Sequence, residues 1–157
     1  MDKPWFETAQ RRSGDLSFFH WKLEFPEVFY DMDANKRPDA GFDAVLGNPP
    51  WVGTRTGNID SEVSDYLGRD GGFDAASGQY DLAAVFTEQA VGLASDAGAT
   101  VFVVPKRLAT NEVFEGIRRL VADDHTLNYA VDLAVAFEGS IPMLWRWSST
   151  LTPKRMR

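Results

Sequence analysis

Between Phe42 and Val135, short apolar runs closed by glycine or proline alternate with longer stretches whose apolar residues recur at helical spacing. "FDAVLG" (Phe42 to Gly47) is too short and too apolar for a surface helix and reads as a strand. "QYDLAAVFTEQAVGLASDAG" places Leu82, Val85, Phe86, Ala90 and Leu93 on one helical face, with Gly98 as a stop signal. "ATVFVVP" (Ala99 to Pro105) is a second strand, ended by proline. "TNEVFEGIRRLVADD" sets Val113, Phe114, Ile117, Leu120 and Val121 on one stripe, with Thr110 or Asn111 as cap and Glu112 in the first turn. "LNYAVDLAV" (Leu127 to Val135) is a third strand candidate. This alternation implies an α/β unit with a parallel sheet covered on both faces.

The flanks are less regular. Residues 1–17 read as a polar lead-in, followed by "FFHWKLEFPEVFY", an aromatic run that needs a surface to pack on. "DMDANKRPDAG" is a turn-rich connector. From Val52 to Gln79 the chain is rich in Gly, Asp and Ser, with "DSEVSDYL" as its one short helix candidate. A segment of that kind inside a compact domain is usually a functional or a mobile loop. The tail "MLWRWSSTLTPKRMR" fits either a last strand with a basic end or a sequence that has lost its continuation. The expected division is therefore a lead-in over 1–41, a catalytic-type domain over 42–147 and a basic tail over 148–157.

Composition narrows the chemistry. With 44% apolar residues the chain can bury a core. It has no cysteine, which excludes a thiolate metal site and a cysteine nucleophile, and its two histidines, His20 and His125, are too far apart in sequence to suggest zinc, so no metal is expected. No apolar run has the length of a membrane span and the first residues lack a signal-peptide core, so a cytoplasmic protein is expected. A net charge of −7 argues against a strong phosphate-binding surface in this chain by itself.

"GNPPW" (Gly47 to Trp51) is where chemistry concentrates. In open parallel α/β sheets, ligands bind at the carboxyl ends of strands. Pro49 and Pro50 stiffen the backbone and remove two N–H donors, leaving carbonyls as acceptors. Asn48 offers an acceptor and two donors, and Trp51 a flat face for a ring. Together they suit a planar ring that bears an exocyclic amine. Asp43 reads as a strand-end carboxylate rather than a catalytic one.

"FDAVLGNPPW" resembles the catalytic motif of the amino-group DNA methyltransferases. "FFHWKLEFPEVF" before it, "GQYDLAAVFTEQAVGLASDAGATVFVVPKRLATNEVFEGIRRLV" after it and "AVDLAVAFEGS" further on are similar to the corresponding segments of adenine-specific methyltransferases of restriction and phage-defence systems. The similarity covers roughly residues 17–140. It implies a partial Rossmann-like fold with a mostly parallel sheet, S-adenosylmethionine as cofactor, and DNA as partner. It also implies methyl transfer to N6 of a flipped adenine. By the same resemblance, Asn48 and the Pro49 carbonyl hold the amine, Pro50 completes the corner and Trp51 stacks on the base. Lys106 and Arg107 are candidate DNA phosphate contacts. Such enzymes carry a strand and glycine-rich cofactor turn upstream of this motif, and nothing before Phe42 supplies one, so the cofactor-binding residues stay unassigned. The expectation is a fragment or one half of a split enzyme, completed by a cofactor-binding and target-recognition portion on another chain or adjacent frame. The alternatives are a non-catalytic remnant, or an enzyme acting on a protein glutamine amide or an RNA base.

Overall fold

The computed structural model describes residues 19–56, 59–123, 125–134 and 142–149. The expected lead-in over 1–17, the end of the third strand candidate at Val135, most of "AVDLAVAFEGS" and the basic end of the tail lie outside them. The chain divides into two compact units, one ending at Pro38 and the other beginning at Asp39.

In the first unit the aromatic run forms two single-turn helices, α1 (Trp21–Glu24) and α2 (Pro26–Phe29), separated by Phe25. Pro26 opens α2 at the position where its missing N–H costs nothing. The aromatics cover one another: Phe19 meets Trp21 edge-on at 4.9 Å and Trp21 stacks on Phe25 at 6.1 Å. Phe29 is buried.

The second unit holds a four-stranded sheet in the order β1-β2-β4-β3. Its strands are β1 (Phe42–Gly47), β2 (Ala94–Pro105), β3 (His125–Asp132) and β4 (Pro142–Ser149). β1 pairs with β2 in parallel, and β4 lies between β2 and β3, antiparallel to both. β1, β2 and β3 run in one direction, but only β1 and β2 are parallel neighbours, so the sheet is mixed rather than mostly parallel as expected. The insertion of β4 makes two of the three ladders antiparallel. The tail is thus the last strand, and it extends past the expected boundary at Trp147. β3 spans His125–Asp132, starting earlier than the sequence suggested.

The helices α4 (Leu82–Leu93), α5 (Arg107–Thr110) and α6 (Glu115–Asp123) gather over one sheet face. Phe102, Val104, Trp145 and Trp147 from that face meet Ala83, Ala84, Leu108, Ile117 and Val121 in the main core. α4 runs straight into β2, without the glycine stop expected at Gly98. Val85, Ala90 and Leu93 are buried as the stripe predicts, together with Ala83, Ala84 and Thr87, while Phe86 is exposed. Ala83, Ala84 and Ala90 are the residues of this helix that enter the main core. On α6, Ile117 and Val121 are buried as the stripe predicts and Phe114 precedes them, but Val113 is exposed. Asn111 is the cap, accepting from the Val113 N–H at 3.1 Å, though what it caps is a short 3-10 turn leading into α6.

On the other sheet face, Leu46, Val101, Arg146 and Tyr129 form one cross-strand row. Leu46 is 74% exposed, and the Arg146 guanidinium lies over the Tyr129 ring at 5.8 Å.

The long segment after the corner is folded on itself. Asp60 caps α3 (Ser61–Asp65), which passes into a wide turn over Tyr66–Asp70. Ala76, Tyr80 and Val85 form a second, smaller core with Leu67 and Phe73 against them. The Glu88 carboxylate on α4 accepts from the N–H groups of Asp74 and Ala75 at 3.0 and 2.8 Å, fastening the segment to that helix.

Candidate active site

β1, β2 and β3 end on the same side of the sheet, and Asn48 to Trp51, Lys106 and Arg107 follow β1 and β2 there, while Asp43 lies at the start of β1. β1 stops at Gly47, where an added Cβ would fall 2.8 Å from the Phe102 ring, so only glycine lets the chain leave β1 this close to β2. Asn48 follows, exposed, and among the described residues its side chain has no hydrogen-bond partner. Pro49 is buried and Pro50 exposed, so the rigid turn has one proline packed inward. Trp51 is partly buried against the main core, and its indole N–H donates to the Val103 carbonyl of β2 at 3.4 Å.

The chain beyond the corner is fastened by its backbone. The Leu82 N–H donates to the Val52 carbonyl at 2.8 Å, and the Thr54 N–H donates to the Tyr80 carbonyl at 3.0 Å. Gly53 and Asp81 form an antiparallel bridge. The corner is therefore held by the start of α4 on one side and by β2 on the other.

Asp81 was not among the residues singled out from the sequence. It is 1% exposed. One of its oxygens caps α4, accepting from the Ala83 N–H at 2.9 Å. The other accepts from Arg107, from Nε at 3.0 Å and from a terminal nitrogen in a very short contact. That same terminal nitrogen also donates to the Trp51 carbonyl at 3.2 Å. Lys106 donates to Asp132 at the end of β3. Both bases that the sequence suggested for DNA phosphate are thus engaged in ion pairs within the chain. The signal for Asp81 was local and visible: a polar residue just before an apolar helical run is a cap candidate. Its pairing with Arg107 had no sequence signature.

Within the segment between the corner and α4, an open groove of about 560 Å³ is lined by Ser64, Asp65, Arg69, Phe73, Asp74 and Tyr80 among others, and by no residue of the corner. Among the described residues there is no group of acidic or imidazole side chains able to hold a metal ion, and no helix long and apolar enough to cross a membrane.

A protein from Listeria monocytogenes assigned as a class I S-adenosylmethionine-dependent methyltransferase has a similar crystal structure. The TM-score is 0.53 at 13% sequence identity, and the match covers 79% of this chain. This chain spans 36% of that protein's length. The likeness shows a partial fold of that class. The sequence pattern of the Eco57I restriction-modification methylases matches residues 2–137. On that match, which takes in the aromatic run, the Asn-Pro-Pro-Trp corner, the helices and most of the sheet, the chain belongs to the Eco57I restriction-modification methylase family.

Proposed function

We propose that this chain is the amine-holding portion of an adenine-specific DNA methyltransferase, with residues 42–147 as its catalytic part. The substrate is a flipped adenine in DNA, and the methyl group comes from S-adenosylmethionine. The observation that carries the reading is the corner: an unpartnered amide at Asn48, two prolines, and a tethered Trp51 at the carboxyl end of β1. Family membership supports the reaction class.

The donor, when bound, supplies an electrophilic methyl group. Among the described residues no glycine-rich turn between a strand and a helix is available to receive its charged end, so its seat is assigned to no residue. What this chain's residues do is hold the acceptor. The Asn48 oxygen and the Pro49 carbonyl each accept one hydrogen of the exocyclic amine, which fixes the direction of the nitrogen lone pair. Trp51 limits the tilt of the ring. The contribution is positioning and electrostatics, without a covalent intermediate.

A cofactor-binding and target-recognition portion, on another chain or in an adjacent frame, completes this enzyme in the proposal. DNA phosphate contacts are assigned to that portion as well. Lys106 and Arg107 are already paired, and the groove in the segment before α4 carries two carboxylates against one guanidinium.

The test is reconstitution with a cofactor-binding segment from another family member. The pair is expected to place N6-methyladenine in DNA, and Asn48→Ala to lower the rate by about 10²–10³-fold while the two parts still assemble. An undiminished rate in that variant would remove the role given to the corner.

A further inference from the structure

The corner has an unusual mechanical problem. Two prolines supply no N–H groups, so the backbone at its tip cannot be tied down by donors of its own. Whatever fixes it must reach its carbonyls from outside. The Val52 carbonyl is taken by the Leu82 N–H, at the entry to α4. The Trp51 carbonyl, one residue nearer the amide, is taken by Arg107.

Arg107 suits this task for a geometric reason. It sits at the first position of α5, after β2 has ended, and one terminal nitrogen of its guanidinium donates to two acceptors that no single backbone group joins, while Nε seats the group on the first of them. One is the buried Asp81 carboxylate, already locked to α4 through the Ala83 N–H; the other is the Trp51 carbonyl. The guanidinium therefore transmits the position of α4 to the corner. A lysine ammonium would neutralise Asp81, but it lacks the rigid pairing of Nε and terminal nitrogen on Asp81 that aims the terminal nitrogen at the Trp51 carbonyl.

We infer that Arg107, supported by Asp81, is a positioning residue that fixes the Trp51 backbone and thereby the ring-stacking face of the site. The inference rests on the reading of the corner as an adenine site. It assigns to Arg107 a role different from phosphate contact.

A purely structural role would leave Arg107 as the counter-ion of a buried carboxylate and nothing more. Two variants separate the roles. Arg107→Met combined with Asp81→Asn removes both charges and keeps a capping oxygen for α4, since Asn is as good a cap as Asp. Arg107→Lys keeps the charge and loses the fork. Thermal melting reports the fold, and adenosine titrated into the 157-residue chain reports the site. The readout is the Trp51 indole N–H signal, identified by its loss in Trp51→Phe. Both variants are expected to melt close to the unsubstituted chain and to bind adenosine about tenfold more weakly, the effect of losing one charge-assisted contact. Adenosine binding unchanged in either variant overturns the positioning role while leaving the adenine site standing. No adenosine binding by the unsubstituted chain overturns the adenine site, and the inference with it.

Discussion

Asp132 closes β3 with both oxygens engaged, one by the Lys106 ammonium and the other by the Ala134 N–H at 3.0 Å. The Lys106 hydrogen bond, and then the Ala134 N–H, hold its pKa below the ordinary carboxylate value. A carboxyl group whose folded-state pKa is depressed stabilises the fold fully above its unfolded value, about 3.9, and that contribution is lost as pH falls through the folded value. Melting temperature measured against pH for the chain and for Asp132→Asn should therefore differ at neutral pH and converge below about pH 4. The pair is half-exposed, so the difference at neutral pH should be small and should shrink with added salt. Curves that stay separated at low pH would mean that Asp132 acts through something other than its charge.

At the scale of elements, Glu88 ties the segment between the corner and α4 to α4 itself. Its carboxylate takes the N–H groups of Asp74 and Ala75 at the start of a 3-10 turn, where they have no acceptor within the turn. Glu88→Ala should cost about 1–3 kcal/mol, since it leaves two donors without their charged acceptor. Amide exchange should quicken first at Asp74 and Ala75; equal change across α4 would indicate loss of the helix rather than of the clasp. The clasp joins positions fourteen and thirteen residues apart, and no local pattern announces it. That marks the boundary of what was legible. The corner could be read because prolines, an amide and an aromatic act where they stand in the chain. β1, β2 and the buried side of α6 could be read from periodicity. On α4 the stripe holds at Val85, Ala90 and Leu93 and fails at Phe86, which is exposed while Ala83 and Ala84 pack in the core. Asp81 with Arg107, and Lys106 with Asp132, pair across twenty-six residues, and only the folded sheet brings each pair together.

In the molecule as a whole, β4 joins the sheet into one piece. Trp145 and Trp147 project from it into the main core, edge-on to Phe102 in the case of Trp147, with ring centroids 5.8 Å apart. Trp147 is 1% exposed, so Trp147→Ala should destabilise the second unit by about 3–5 kcal/mol, read by denaturant unfolding. A loss below about 1 kcal/mol would show that the core closes without it.

Among the described residues β3 pairs with β4 alone, and β4 is the later of the two in sequence. A ribosome delivers β3 first, so β3 leaves the exit tunnel with no place to dock. β1, α4 and β2 can assemble as they emerge, but β3 must wait for residues 142–149, which then pair with strands on both sides at once. The sheet therefore closes late, in a single step, and a message cut short before Pro142 forfeits two strands rather than one.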